Sequence, residues 1–294
     1  MMQTYLFQDA ENQLHHKAVN VASVPQRSPF RYPGGKTWFV PRFREWIRSK
    51  PTKPTYLVEP FLGGGIISLT AAFEDLVEQV IMVEIDEEVA AVWKCIINGD
   101  SEWLANCILN FQINKDNVLK ELAKKNSDIK SLAFKTILKN RTFHGGILAA
   151  GSGLLKNGEN GKGIQSRWYP ETLARRLRQI DQIKHKITFI QANAFDILNE
   201  YSNQGNVVFF IDPPYTAGGK KAGKRLYTHS ELDHQKLFSC CAKLKGDFIM
   251  TYDNADEVKD LSNEYGFSSK TIPMKNTHHA NMTELVVGRD LMWL

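Results

Sequence analysis

The sequence is poor in cysteine, and the few cysteines form no recognisable pattern. Its 294 residues contain 4 cysteines, none of them in a CxxC pair. Cys240 and Cys241 are adjacent, which is unfavourable for a disulfide between them. A disulfide-rich scaffold and a structural zinc site are therefore not expected, and no metal site is predicted. The sequence predicts a reduced, cytoplasmic protein.

Long apolar runs are also missing. No run approaches the ~20 apolar residues that span a bilayer, and the first 26 residues lack a basic segment followed by an apolar core. No internal repeat is visible. We therefore expect neither a membrane protein nor a secreted one. The apolar content of 43% and charged content of 23% are typical of a soluble globular protein.

Two common phosphate-binding patterns, GxGxxG and GxxxxGK[ST], are absent, but another glycine-rich turn is present. From Tyr56, "YLVEPFLGGGIISLTAAF" reads as an apolar strand, a glycine turn and an apolar helix. A second apolar strand, from Gln79 to Glu84, ends in acidic residues and leads into another helix. This β-α-β-α order predicts a parallel sheet.

Further strands follow after a long interruption. They are predicted within "KITFIQ", residues 207–211, "GDFIMTY" and "TELVV". The interruption is helical in pattern, and residues 111–185 hold 15 Lys and Arg against 6 Asp and Glu, a net charge of +9. We interpret residues 111–185 as an inserted domain that binds a polyanion. The alternative is an ordinary solvated helical surface.

The domain prediction follows from these features. Residues 1–27 are predicted to form an N-terminal extension, residues 28–110 and 186–294 the main α/β domain, and residues 111–185 the insert.

The glycine turn and the following acid are typical of a site for a nucleoside-containing cofactor. Gly63, Gly64 and Gly65 permit close backbone approach to a ligand. Glu84 lies about 20 residues later, where an acid commonly binds ribose hydroxyls. The alternative is that Glu84 only complements a helix dipole. Upstream, "RYPGGK" at residues 31–36 is either an anion-facing turn or a plain turn with a solvated lysine.

The most specific pattern is "DPPY", residues 212–215, directly after the strand 207–211. Ligands of open α/β sheets bind at this end of the strands. Asp212 and the carbonyl of Pro213 can each accept one hydrogen of an exocyclic amino group, while Tyr215 offers an aromatic face. This arrangement suits a planar ring with an NH₂ substituent. The alternative is a capped turn with a buried aromatic side chain.

With "RYPGGK", "FLGGG" and "DPPY" in this order, and the basic insert before the last, residues 28–294 resemble the Dam-type (alpha-group) DNA adenine-N6 methyltransferases. The resemblance implies an α/β, Rossmann-like sheet that uses S-adenosylmethionine, with an inserted, mostly helical target-recognition domain. It implies site-specific methyl transfer to N6 of an adenine in double-stranded DNA. That adenine must be flipped out, because its amino group is paired inside the duplex. A restriction-modification role beside a cognate restriction endonuclease stays open.

The resemblance also assigns residues by their positions in the motifs. Lys36 is implied to lie near the methionine carboxylate, Glu84 to bind the ribose, and Asn193 with Phe195 to frame the cofactor adenine. The full implied cofactor set is Tyr32, Gly34, Gly35, Lys36, Phe61, Gly63, Gly65, Glu84, Asn193, Phe195 and Asp212. The implied catalytic set is Asp212, Pro213, Pro214 and Tyr215, and the implied DNA-binding set is Asn140, Arg141, Lys156 and Lys162.

Two other functions stay open, and some positions depart from the family pattern. An enzyme of the same fold could act on cytosine N4, although Asp212 in place of Ser or Asn favours adenine by analogy with the family. A basic DNA-binding relative could have lost catalysis, against which the intact Lys36 and Asp212 argue. Glu84 and Asn193 both stand where the family usually has Asp. The basic loop at 216–227 is expected to be mobile without DNA.

Overall fold

A seven-stranded sheet forms the centre of the molecule. The computed structural model of the chain describes residues 21–158, 161–214, 226, 228–229, 231–275 and 281–294. The strands are β1 (Tyr56–Glu59), β2 (Gln79–Glu84), β3 (Ile187–Gln191), β4 (Val207–Ile211), β5 (Asp247–Asp253), β6 (Ser268–Lys275) and β7 (Asn281–Gly288), in the spatial order β3-β2-β1-β4-β5-β7-β6.

The first five strands are parallel, and β7 runs antiparallel to both β5 and β6. All five residues of β4 are buried, as expected for a central parallel strand covered by helices on both faces. The predicted Rossmann-like α/β class is confirmed. β6 was not predicted, because its sequence "SSKTIPMK" has no alternation of apolar and polar residues.

Ten α-helices are present in the described ranges. They are α1 (Val40–Arg48), α2 (Ile66–Phe73), α3 (Glu87–Cys95), α4 (Ser101–Asn110), α5 (Lys115–Ala123), α6 (Ile129–Thr142), α7 (Pro170–Ile183), α8 (Ala194–Glu200), α9 (His234–Lys243) and α10 (Asp256–Glu264). Several helices begin at a residue whose side chain caps them. Asp86 caps α3 through the Val89 N–H, and Asp128 caps α6 through the Ser131 N–H.

Two hydrophobic clusters, one on each face of the sheet, form the core. One face packs against α8, α9 and α10 through Leu237, Phe238 and Val258. The other packs against α1, α2 and α3 and includes Phe43, Trp46 and Trp93. Because β1 and β4 are neighbours while the chain leaves them in opposite directions, the strand order reverses between them. Ligands of such sheets bind at this point of reversal.

The helices of the predicted insert pack directly on the main domain. Ile137 of α6 and Leu177 of α7 belong to the same hydrophobic cluster as Trp46 of α1 and Trp93 of α3. Arg178 of α7 also forms an ion pair with Glu102 of α4. The helices α6 and α7 are therefore held against the helices α3 and α4 of the main domain. Their role as a DNA-recognition domain stays a prediction.

Residues 1–20 of the predicted N-terminal extension lie outside the described residues. The rest of the extension contacts the main domain, because the Arg27 guanidinium pairs with Glu74 at 3.1 Å and lies over the Phe73 ring. None of the helices in the described ranges has the length and apolar character needed to cross a bilayer.

Candidate active site

A cleft opens at the carboxyl edge of β1, β2, β3 and β4, where the strand order reverses. Its space, measured out to its open mouth, is about 1140 Å³. Of the sequence-predicted cofactor and catalytic residues, those that the structure describes all line it: Tyr32, Gly34, Gly35, Lys36, Phe61, Gly63, Gly65, Glu84, Asn193, Phe195, Asp212, Pro213 and Pro214. Tyr215, the remaining catalytic prediction, lies outside the described residues, as does most of the loop 216–227.

The two glycine turns pack against each other on one wall of the cleft. Gly63 has φ +47°, and a Cβ atom there would lie 2.5 Å from the Tyr32 ring. A side chain is therefore excluded at Gly63 by both its backbone conformation and its neighbour. The Trp93 indole N–H donates to the Gly63 carbonyl at 3.1 Å and so holds the turn against α3. The result is a glycine wall, which lines the cleft with main-chain atoms and carries no side chain at Gly63, Gly64 and Gly65.

Glu84 fastens the glycine turn to the end of β2. Its carboxylate accepts the N–H of Gly63 at 2.9 Å, of Ile85 at 2.9 Å and of Asp86 at 3.0 Å. Burial raises the pKa of Glu84 to about 7, while these backbone hydrogen bonds favour its charged form. A carboxylate has about four lone-pair positions, so one remains for a ligand hydroxyl. Glu84 therefore shapes the cleft as well as lining it.

Glu59 is a second buried acid in the cleft, and the sequence analysis did not single it out. It ends β1 and accepts the Ser68 N–H at 3.0 Å. Burial raises the pKa of Glu59 to about 8, with smaller contributions from the charges of Asp212 and Glu84. The signal was present, because Glu59 follows a buried strand directly before the glycine turn.

Lys36 and Asp212 form the centre of a buried polar network. The Lys36 ammonium lies 3.0 Å from Asp212 Oδ1 and 3.7 Å from Glu284 Oε2, and it donates to the Gly34 carbonyl at 2.9 Å. Thr251 donates its hydroxyl to Asp212 Oδ1 at 2.8 Å. The network thus joins four parts of the chain: the turn 31–36, the residue after β4, and the strands β5 and β7. Sequence reasoning missed Thr251 and Glu284, because neither lies in a recognisable motif.

Comparison with known proteins decides the family. Residues 32–276 match the family model of the D12 class N6 adenine-specific DNA methyltransferases. The chain belongs to this family.

Similarity to individual proteins is weaker. No curated protein matches the chain. Among solved structures, a SAM-dependent methyltransferase from Agrobacterium tumefaciens is 11% identical, with a TM-score of 0.40, and the match covers 86% of this chain and 61% of that one. The rRNA methyltransferase aviRa from Streptomyces viridochromogenes is 13% identical, with a TM-score of 0.37 and coverage of 92% and 90%. The assignment rests on the family match.

A D12-class enzyme uses S-adenosylmethionine as its methyl donor, and the cleft fits this cofactor. The glycine wall admits a ligand against bare backbone, Glu84 offers an acceptor at the end of β2, and Lys36 offers a buried cation. Ile85 adds an apolar surface, because its side chain lines the cleft and is 41% exposed. An exposed isoleucine beside a buried acid is a position that a planar apolar ring can cover.

Asn193 has a structural role that the sequence analysis did not foresee. It caps α8, with its side-chain oxygen accepting the Phe195 N–H at 2.9 Å. The Phe195 ring lies at the cleft and is covered by the Lys236 ammonium at 4.6 Å from its centroid. Both residues line the cleft, and their contact with the cofactor adenine stays a prediction.

The predicted DNA-binding residues fall into two groups. Lys156 and Lys162 are exposed. Asn140 is fully buried and bonds the N–H of Arg31 at 2.9 Å and its carbonyl at 3.0 Å, and Arg141 is 4% exposed and donates to the Pro29 carbonyl. Asn140 and Arg141 hold the segment before Tyr32. The sequence analysis placed them on DNA by resemblance alone, and that contact stays untested.

The raised pKa of Glu59 predicts a pH-dependent stability. The folded protein keeps the Glu59 proton up to about pH 8, whereas the unfolded chain loses it near 4.5. The free energy of unfolding should therefore fall as the pH rises from about 4.5 to about 8. Glu59→Gln, which stays neutral and can still accept the Ser68 N–H, should lose less stability over this range. Urea unfolding at pH 5 and pH 8.5 measures the difference.

The exposed Glu78→Gln provides the control for this experiment, and its curve should run parallel to that of the wild type. Parallel curves for Glu59→Gln and the wild type would contradict the assignment of a buried, protonated Glu59.

Thr251 is predicted to position Asp212. Thr251→Val keeps the shape of the side chain but removes the hydrogen bond to Asp212 Oδ1. We expect the single-turnover methyl-transfer rate to fall about tenfold, the equivalent of roughly 1.4 kcal/mol, while the Kd for S-adenosylmethionine stays unchanged. Thr136→Val is the matched control, because that hydroxyl is also buried but bonds the Leu132 carbonyl inside α6. Equal rates for the two variants would remove Thr251 from the site.

Proposed function

We propose that this D12-class enzyme methylates N6 of an adenine that is flipped out of duplex DNA at a specific sequence. The observation that carries the proposal is the placement of Asp212. It follows the central strand β4, lines the same cleft as the glycine wall, and is held by Lys36 and Thr251. A base paired inside a duplex cannot enter a cleft at the edge of a sheet, so the adenine has to leave the helix.

The proposal assigns the following cleft residues to parts of the cofactor. Glu84 accepts a ribose hydroxyl, and the glycine turn faces the methionine part of the cofactor. Ile85 and Phe195 enclose the cofactor adenine beside Asn193. Lys36 lies where it can attract the cofactor carboxylate. S-adenosylmethionine, when bound, supplies an electrophilic methyl group on a sulfonium sulfur.

Asp212 acts on the target base. The amino nitrogen of adenine is a poor nucleophile because its lone pair is delocalised into the ring. The carboxylate of Asp212 and the carbonyl of Pro213 accept its two hydrogens and favour the form in which the lone pair is localised. Asp212 stabilises the positive charge that develops on the nitrogen as the carbon–nitrogen bond forms. It is also the nearest base for the proton that the nitrogen then loses.

The network holds the Asp212 side chain in place at the cleft. The Lys36 ammonium 3.0 Å away stabilises the carboxylate, and the Thr251 hydroxyl stabilises it further by donating a hydrogen bond. Glu284, on β7, provides a second carboxylate near the Lys36 ammonium. Asp212 is thus held as an acceptor in a fixed orientation, which is what a preorganised site requires.

The order of the motifs supports the assignment to the Dam-type alpha group. The turn 31–36 and the glycine turn precede the Asp-Pro-Pro motif, with the basic segment between them, as in the Dam-type alpha group. Action on duplex DNA in the cytoplasm, beside a cognate restriction endonuclease, is the setting that this group would give. The family match favours adenine N6 over the cytosine-N4 alternative.

Asp212→Ala should separate catalysis from binding. We expect the methyl-transfer rate to fall by about 10²–10³, as for the loss of one preorganised electrostatic group. The Kd for S-adenosylmethionine should change little, because Lys36 keeps Glu284 as a partner and Glu84 keeps the glycine turn in place. Single-turnover transfer of labelled methyl groups to duplex DNA measures the rate, and chromatography of the hydrolysed DNA identifies the modified base.

Asp256→Ala serves as the control, since this aspartate is exposed on α10. Methylcytosine as the product would favour the cytosine-N4 alternative, and no transfer by the wild type would favour the inactive DNA-binding relative. A near-normal rate for Asp212→Ala would refute the catalytic role.

A further inference from the structure

Arg141 and Arg176 donate hydrogen bonds to backbone carbonyls and not to acids, and the exposed Arg175 is the chain neighbour of Arg176. The arginine cluster consists of Arg141 on α6 and the consecutive Arg175 and Arg176 on α7. In the described part of the chain none of the three forms an ion pair with a carboxylate. Other arginines of the molecule do, because Arg44 pairs with Glu74 at 2.7 Å and Arg178 pairs with Glu102 at 2.7 Å.

Two members of the cluster, Arg141 and Arg176, meet at one backbone segment. Arg176 donates to the Ser28 carbonyl at 2.9 Å, and Arg141 donates to the next carbonyl, that of Pro29. Arg141 is 4% exposed, and its Nε has no hydrogen-bond acceptor among the described residues. A buried donor without an acceptor is costly unless a ligand or water supplies one.

Other arginines lie close to Arg141 and Arg176. Burial lowers the pKa of Arg141 to about 9, and the charges of Arg176, Arg31 and Arg167 lower it further, against a small opposing effect of Tyr169. Burial and the neighbouring Arg175 likewise lower the pKa of Arg176. A bound anion would relieve this repulsion, because it favours the charged form of each guanidinium.

Two members of the cluster contact the chain segment that leads into the cleft. The carbonyls of Ser28 and Pro29 belong to the segment that leads into Tyr32, which lines the cleft. Asn140, one residue before Arg141, holds both backbone groups of Arg31 in this segment. Tyr169, half exposed, precedes α7 and adds a hydroxyl and an aromatic face near the same arginines.

We propose that the arginine cluster binds a phosphodiester of the DNA backbone next to the extruded nucleotide. The proposal rests on the proposed function, since it takes duplex DNA as the substrate. Guanidinium groups match phosphate oxygens in a two-pronged geometry, and more than one guanidinium at one place provides the charge that a phosphate needs. The site fixes the position of the duplex on the protein and carries no sequence information itself.

The test is the salt dependence of DNA binding. Arg175→Gln with Arg176→Gln should weaken binding of a fluorescent DNA duplex about tenfold in low salt. It should also lower the slope of log K against log[salt] by about one for each lost contact. The charge-matched control is Arg178→Gln with Lys184→Gln, two residues of the same region that pair with Glu102 and Asp181. Its slope should stay close to that of the wild type.

A further variant distinguishes phosphate binding by Arg176 from a purely structural role. Arg176→Lys alone retains the charge and should keep most of the salt slope, and a titration with S-adenosylmethionine shows whether the cleft of each variant is intact. Equal slopes for the cluster variant and the control, in a wild type that binds and methylates DNA, would overturn the phosphate site alone. A wild type that binds no duplex DNA would overturn the proposed function as well.

Discussion

The buried ion pair between Lys36 and Asp212 is the constraint on which the site depends. A lysine that is 3% exposed would be costly without an opposite charge, and here two carboxylates, those of Asp212 and Glu284, lie within 4 Å of it. Removing either partner leaves a buried charge with one neighbour fewer. The pair therefore forces the turn 31–36, which precedes every strand, to fold onto the end of β4 and the middle of β7.

The opposite wall of the cleft also depends on a buried charged group that needs partners. Glu84 is also buried, but its carboxylate accepts hydrogen bonds from three backbone N–H groups, and no cation is among these partners. The bond from the Gly63 N–H holds the glycine turn, which lines the cleft, against the end of β2. One wall is thus held by an ion pair and the other by a carboxylate that organises the main chain, so both are formed before any ligand arrives.

Much of this architecture could be predicted from the sequence, because its signals are local. The strand–glycine turn–helix unit and the Asp-Pro-Pro motif each lie within a few residues, and the motifs come together because parallel strands end at one edge. Thr251 and Glu284 could not be predicted, because only the register of β5 and β7 brings them to Asp212. β6 was missed for a related reason, since it is an edge strand of mixed composition whose pairing with β7 decides its conformation. Tyr215 and the loop after it lie outside the described residues, so their predictions stay as they were.

The basic segment shows the limit of reading charge from a sequence. Its net charge of +9 suggested a uniform polyanion-binding surface, yet several of its cations are used inside the protein. Lys139 pairs with Glu88, Arg178 pairs with Glu102, and Lys184 pairs with Asp181. Burial and pairing, which composition cannot reveal, decide which charges remain for a partner.

Asn140 and Arg141 then connect the two halves of the molecule. Through Arg31 and Pro29 they hold the segment that places Tyr32 against Gly63. The end of α6 that lies next to the arginine cluster is therefore the same structure that fixes the cofactor wall. The hydrogen bonds of Asn140 and Arg141 to the segment 29–31 would connect a duplex held at this point to the cleft. The position of the duplex relative to the cleft would then be fixed by these bonds. In the proposed function, the surface that would meet the duplex and the wall that would meet the cofactor are therefore built on one backbone segment.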